Sequence, residues 1–127
     1  MKTLNTPLAP QAIGPYVQGK DIGNLVFTSG QLPVHPENST IPDSPEAQAT
    51  QSLRNALAIL ESAGLGAKDI IKTTVFVQDL DDFGVINAAY KVFFDAHDAP
   101  YPARSCVQVA RLPLDVKVEI EMIAART

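Results

Sequence analysis

From Val116 to Met122 the chain alternates without a break: Val116, Val118, Ile120 and Met122 are apolar, and Lys117, Glu119 and Glu121 between them are charged. Side chains on an extended backbone point to opposite faces in turn, so this period of two fits a strand with one face in a core and the other outside it. A shorter strand-like run precedes it, from Arg104 through Ser105, Cys106, Val107 and Gln108 to Val109. Parity there assigns Val107 and Val109 to the core and places Arg104, Cys106 and Gln108 together on the opposite face. Glu119 also leaves the apolar face of its own strand. A guanidinium and a carboxylate on the non-core side of one sheet are the makings of a site that holds an anion and handles water.

The rest of the chain supplies further strands and two helices. Tyr16-Val17-Gln18, a turn over Lys20–Asn24, and Leu25–Ser29 read as a hairpin, with Gly30 ending its second strand. Leu32–Pro45 is rich in Pro, Asn and Ser and reads as a loop. Ser44-Pro45-Glu46 is a helix start: a capping hydroxyl, a proline where no N–H is needed, and an acid facing the helix dipole. That helix runs to about Ala63 before Gly64, with Ala49, Leu53, Ala56, Leu57 and Leu60 on its apolar stripe. Ile70–Val77 is a strand rich in β-branched residues. Asp81 caps a second helix to about His97, with Phe83, Ile86, Tyr90 and Phe93 on its buried side, and Pro100 stops anything helical.

The order is strand, strand, helix, strand, helix, strand, strand, an α/β (α+β) pattern in which two helices cover one face of a sheet. The other face still carries Ile123 and Ala125 on the last strand. A sheet face with such residues uncovered calls for a partner, and a homo-oligomer is expected. At 127 residues the chain makes a single domain, 1–127.

Bulk properties narrow the function. A net charge of −4 with no basic run disfavours nucleic acid as a partner. One cysteine, Cys106, makes no internal disulfide and suits a reducing compartment. The first residues, MKTLNTPLAPQAIG, have no leader-like apolar stretch, and no run is long enough for a membrane span. The expectation is a cytoplasmic protein with no membrane partner. His35 and His97 lack metal-ligand spacing, and Gly19, Gly23 and Gly30 make no phosphate loop or dinucleotide fingerprint, so no metal or cofactor is expected.

Several motifs, in order, resemble those of one family. Pro102-Ala103-Arg104-Ser105-Cys106-Val107, continuing through Ala110-Arg111-Leu112 to Val118-Glu119-Ile120, is similar to the signature of the RidA/YjgF family. So are Ala12-Ile13-Gly14-Pro15-Tyr16, Phe27-Thr28-Ser29-Gly30-Gln31 and Thr73-Thr74-Val75-Phe76-Val77. Leu114 stands where many members carry a lysine, and the Val34–Pro42 loop varies within the family. The resemblance implies a chorismate-mutase-like fold assembled as a homotrimer with clefts between subunits. It also implies cofactor-free hydrolysis of 2-aminoacrylate, 2-iminopropanoate, 2-iminobutanoate and related enamine or imine acids to 2-keto acids and ammonia.

Such a substrate needs a grip on its carboxylate, polar contacts for its nitrogen, and a positioned water. Arg104 suits the first, since a guanidinium fork matches a carboxylate; its plain alternative is a salt bridge. Glu119 suits the water, as a base taking a proton while oxygen adds to the imine carbon; Glu121, on the same face, competes and is set aside only by the signature. Cys106 as a nucleophile is the weaker reading, because free cysteines are commonly buried and inert. By resemblance, main-chain groups of Cys106 and Gly30 help to hold the ligand, and Tyr16 and Asn87 line the cleft. Ser29, at a strand end, offers a hydroxyl and a free N–H. Two further readings stand beside the enzyme: a non-catalytic trimer that binds small 2-keto acids as a regulator, and the RNA-cleaving or chaperone-like activities attributed to family members.

Overall fold

The computed structural model describes all residues, 1–127. Eight regular elements follow one another: β1 (Lys2–Leu4), β2 (Gly19–Asp21), β3 (Leu25–Thr28), α1 (Pro45–Ser62), β4 (Ile70–Val77), α2 (Phe83–Ala96), β5 (Ala103–Gln108) and β6 (Val118–Ala125). The strands form one sheet in the order β1-β2-β3-β6-β4-β5. All pairs are antiparallel except β4 with β5, which α2 joins as a crossover.

The alternation that opens the sequence sets this architecture. β6 lies between β3 and β4, and Val118, Ile120, Met122 and Ala124 are all buried beneath the helices. Above them sit Leu53, Ala56 and Leu60 of α1 and Ile86, Tyr90, Phe93 and Phe94 of α2, in one continuous core. Burying each large aliphatic side chain is worth about 1.5–3 kcal/mol, which is why the period-two and helical stripes end up facing each other. α1 starts as the sequence requires: Ser44 Oγ accepts the Ala47 N–H at 3.1 Å, Pro45 stands in the first turn, and Gly64 takes φ 82° beyond the last turn.

The differences from the sequence reading have local causes. The hairpin pairs Gly19–Asp21 with Val26–Thr28, so the turn is shorter than expected and Tyr16–Gln18 lies outside the strand. Gln18 is instead buried, its Nε2 donating to the Thr6, Ala9 and Pro10 carbonyls and its Oε1 accepting the Thr6 N–H. The additional strand β1, three residues long, pairs with β2 and carries too little pattern to be read. Before α2 the chain makes a 3-10 turn at Leu80–Asp82, capped by Asp79 rather than Asp81, and the helix begins at Phe83, which stays exposed. Val116 is buried but precedes β6, as the extended residue directly after the 3-10 turn Pro113–Asp115.

The largest correction concerns β5. Cross-strand partners share a face: Arg104 opposes Thr73, and Val107 opposes Phe76, which in turn opposes Glu119. Thr73 is fully buried under the helices and Cys106 packs against the core, whereas Val107 is 43% exposed. Arg104 and Cys106 therefore lie on the helix side, and Val107 on the open side with Glu119. Polarity misleads here because β5 is the edge strand. Its helix-side charge leaves the core at the rim, over the aromatic rings of α2, while its apolar residue lies on a face that the helices do not cover.

That open face is half apolar. Leu25, Phe27, Ile123, Ala125, Phe76 and Val107 share it with Lys72, Thr74, Ser105, Glu119 and Glu121, and Lys72 Nζ donates to Ser105 Oγ at 3.1 Å. No helix of the chain is long and apolar enough to cross a membrane.

Candidate active site

Arg104 reaches from β5 along the side of α2. Its Nη1 donates to Asn87 Oδ1 at 2.8 Å, and its guanidinium carbon lies 4.8 Å from the centre of the Tyr90 ring and 5.5 Å from that of Phe83. Asn87 falls beside the helix stripe rather than on it, which lets its amide meet the arginine while Ile86 and Tyr90 face the core. Tyr90 is fixed in turn by a 2.7 Å hydrogen bond with the buried Thr73 hydroxyl. The ion pairs of the chain are Lys91–Asp95, Arg111–Asp115 and Arg126–Asp21; Arg104 has no carboxylate partner. An arginine held by a neutral amide and two ring faces keeps donors free for an anion from outside. Beside it opens a cavity of about 400 Å³ lined by Asn87, Tyr90, Lys91, Tyr101, Pro102 and Arg104.

The edge position of β5 adds main-chain groups. The Val109 N–H bonds to the Val77 carbonyl at 2.9 Å, and alternation along the strand turns the N–H and C=O of Arg104 and Cys106 away from β4 to the unpaired edge. The Cys106 thiol itself is half-buried, and desolvation pushes its pKa up while the Arg104 charge opposes the shift. A thiol in that state is a poor nucleophile.

Glu119 occupies a second locus. Gln31 and Ile120 exchange two main-chain hydrogen bonds, at 2.8 and 3.1 Å, which pin the segment after β3 to the start of β6. Gly30 is thereby pressed against Glu119, so closely that a Cβ on it would stand 2.6 Å from Oε2. Ser29 donates its hydroxyl to the Val17 carbonyl at 2.6 Å and its N–H to the Gln18 carbonyl at 2.8 Å. Both of its donors are thus engaged with the Tyr16–Gln18 segment, rather than free as the sequence suggested. Tyr16, half exposed, and Gly30 line a second cavity of about 350 Å³. The Glu119 carboxylate makes no hydrogen bond or ion pair. Burial, then the neighbouring charge of Glu121, raises its pKa above the ordinary 4.5.

The structure thus groups the sequence candidates into two clusters. Arg104, Asn87 and Cys106 meet at the β5 edge under α2, while Tyr16, Ser29, Gly30 and Glu119 meet on the open side of β6. The expectation that Arg104 and Glu119 share one face is incorrect: they stand on opposite faces of the sheet. Tyr90 and Phe83, read as packing residues, are also the seat of the guanidinium. Their spacing of three and four residues from Asn87 was the available signal.

The family described as Endoribonuclease L-PSP matches residues 6–126 of this chain. The chain belongs to this family, the RidA/YjgF family. Among its relatives is the Escherichia coli K12 protein named 2-iminobutanoate/2-iminopropanoate deaminase, 61% identical over 125 residues that cover 98% of each chain. The crystal structure of E. coli TdcF with bound serine superposes with a TM-score of 0.99 at 60% identity, covering 100% of both chains. RidA from the Antarctic bacterium Psychrobacter sp. gives a TM-score of 0.90 at 42% identity, covering 99% of this chain and all of that one. The α+β arrangement of one sheet and two helices is thus that of solved RidA/YjgF structures.

Proposed function

We propose that this chain is a cofactor-free deaminase of reactive enamine and imine acids, hydrolysing 2-iminopropanoate- and 2-iminobutanoate-type substrates to 2-keto acids and ammonia. The observation that carries the reading is Arg104: a half-buried guanidinium at a cavity, oriented by Asn87 and two aromatic rings, with no protein carboxylate to neutralise it. The relative named 2-iminobutanoate/2-iminopropanoate deaminase supplies the substrate class, and the TdcF complex with serine supports a small amino-acid-like carboxylate.

In this mechanism Arg104 grips the substrate carboxylate, and main-chain groups at the β5 edge orient its nitrogen. Glu119 takes a proton from water as the oxygen adds to the C=N carbon. That proton passes to nitrogen to give the neutral carbinolamine; its hydroxyl proton then moves through Glu119 to nitrogen as the C–N bond breaks, so that ammonia leaves and the oxygen becomes the carbonyl of a 2-keto acid. A base whose pKa lies above the usual carboxylate value is better matched to this exchange near neutrality. The imine carbon is already electrophilic, so positioning supplies most of what the reaction needs.

Arg104 and Glu119 of one protomer face opposite ways, so the site is assembled from two. The half-apolar open face, bearing Phe27, Ile123 and Phe76, packs against another copy and carries Glu119, Gly30 and Tyr16 to its β5 edge. A closed homotrimer with three such clefts is the proposed assembly.

The test is a coupled assay with a serine or threonine dehydratase, following keto-acid release with and without the protein. Arg104→Ala and Glu119→Gln are each expected to lose a hundredfold or more in activity. Co-refolded as an equal mixture, they should recover about a quarter of wild-type activity, because in a head-to-tail ring one cleft in four joins an intact arginine to an intact glutamate. No recovery from well-folded mixed oligomers contradicts the shared site. No acceleration by the wild type contradicts the deaminase.

A further inference from the structure

The turn before β6 holds two consecutive non-glycine residues at positive φ, Leu114 at 58° and Asp115 at 54°. The left-handed region costs an ordinary L-residue roughly 1–2 kcal/mol, and leucine has no polar side chain with which to offset it. Asp115 is held there by Arg111, whose Nε and Nη2 donate to its two carboxylate oxygens at 2.7 and 3.2 Å. Leu112 and Val116 are buried and anchor both ends of the turn. The strained segment therefore holds Leu114 outward, 68% exposed, where it adds nothing to the core.

What Leu114 does border is the cavity of about 350 Å³ that it shares with Ile13, Tyr16, Gly30, Leu32 and Val34. Gly30, one of the cavity's lining residues, is also the residue against which Glu119 rests, so the cavity and that carboxylate border the same glycine. Part of its polar wall is already engaged within the chain. Gln18 spends its amide on Thr6, Ala9 and Pro10, Gln31 donates to the Ser29 and Gly30 carbonyls, and His35 Nδ1 accepts the Glu37 N–H at 3.2 Å. A methyl group would leave most of this space empty, whereas a branched apolar side chain would bury against Leu32, Val34 and Leu114.

We infer that this cavity receives the substrate's side chain, with Leu114 as its apolar lip, so that the protein favours imino acids with branched apolar side chains over those with a methyl. The inference rests on the deaminase reading and adds a side-chain preference to it. Discrimination by a hydrophobic pocket amounts to about 10–200-fold per methylene when contact is complete, and a rim residue supplies the low end of that range.

The experiment compares imino acids generated in place from leucine and from alanine by an L-amino acid oxidase with catalase, reading accelerated keto-acid release. Wild-type kcat/KM should be higher for the leucine-derived substrate. Leu114→Asn, which suits the left-handed backbone and keeps the turn, should lower the leucine-to-alanine ratio about tenfold. Val34→Ser, on another wall, should lower it in the same direction. A wild-type ratio below one, or a ratio unmoved by both variants, overturns the side-chain cavity while leaving the deaminase intact. Failure to accelerate either substrate removes both.

Discussion

Gly30 and Glu119 touch so closely that the glycine sets where the carboxylate sits: a Cβ at position 30 would lie 2.6 Å from Oε2 and 2.9 Å from Cδ. The obstructed atoms are the far end of a flexible side chain, so Gly30→Ala should displace the carboxylate rather than disrupt the fold. Moving a reacting group by about 1 Å costs on the order of a hundredfold in rate, and that loss in kcat/KM is expected with little change in thermal midpoint. In a Glu119→Ala background the same alanine should cost nothing further, because the group it displaces is gone. Steady-state kinetics on the four proteins of this cycle check it; additive losses would place the role of Gly30 elsewhere.

Glu119 also links activity to pH. Burial and the charge of Glu121 raise its folded-state pKa above 4.5, so the folded protein binds this proton more tightly than the unfolded chain does. Stability from this group is therefore greatest in acid and is lost as pH rises through the folded-state pKa. Glu119→Gln should melt at a higher temperature than the wild type near neutrality, with the difference closing in acid. The acid limb of the wild-type kcat/KM profile should lie above the ordinary carboxylate range, and the variant's residual activity should lack that limb. A wild-type limb at or below 4.5 would remove Glu119 as the titrating base.

Most of the fold was legible because its signals are local. The period of two in β6, the β-branched run of β4 and the Ser44-Pro45 start of α1 each specify an element from its own residues. The family motifs singled out Arg104 and Glu119 as candidates. What parity could not supply was the side of the sheet on which Arg104 lies. A strand's alternation shows which residues go together, not which group faces the helices, and polarity is a poor guide at an edge strand whose open face is itself partly apolar. Strand order decides it, and strand order is set by long-range pairing, such as Arg104 with Thr73 and Phe76 with Glu119. That β5 is an edge strand, leaving the main-chain groups of Arg104 and Cys106 unpaired, was hidden for the same reason.

Arg126 closes the far end of β6 onto the hairpin. Its Nη1 and Nη2 each bond an Asp21 carboxylate oxygen at 2.8 Å, and they also reach the Gly23 and Ala63 carbonyls at 2.6 and 2.7 Å. The Arg126 hydrogen bonds, then the Gly23 N–H, hold the Asp21 pKa down to about 2. A depressed carboxylate stabilises the fold above its unfolded value, about 3.9, and loses that contribution as pH falls through the folded one. Arg126→Ala should thus unfold at lower denaturant than the wild type at neutral pH, with the gap narrowing between about pH 4 and pH 2. A gap that stays constant across that window would show that the arginine acts through its carbonyl contacts alone.

Arg104 is more than a positive charge in this arrangement. Its planar group lies over Tyr90 and Phe83 and takes its orientation from Asn87, so a lysine would keep the charge but lose the fork, the ring contacts and the amide bond. Charge-assisted hydrogen bonds are worth about 1.5–3 kcal/mol each, so Arg104→Ala should lower kcat/KM by a hundredfold or more, and Arg104→Lys should recover only a small part of that. Asn87→Ala leaves the guanidinium in place but free to turn, and about a tenfold rise in KM is expected, with kcat less affected. Calorimetric titration with 2-ketobutyrate separates binding from turnover: the affinity should be lost in Arg104→Ala and kept in Glu119→Gln. A keto acid bound as tightly by Arg104→Ala as by the wild type would mean that another cation, with Lys91 lining the same cavity, holds the carboxylate.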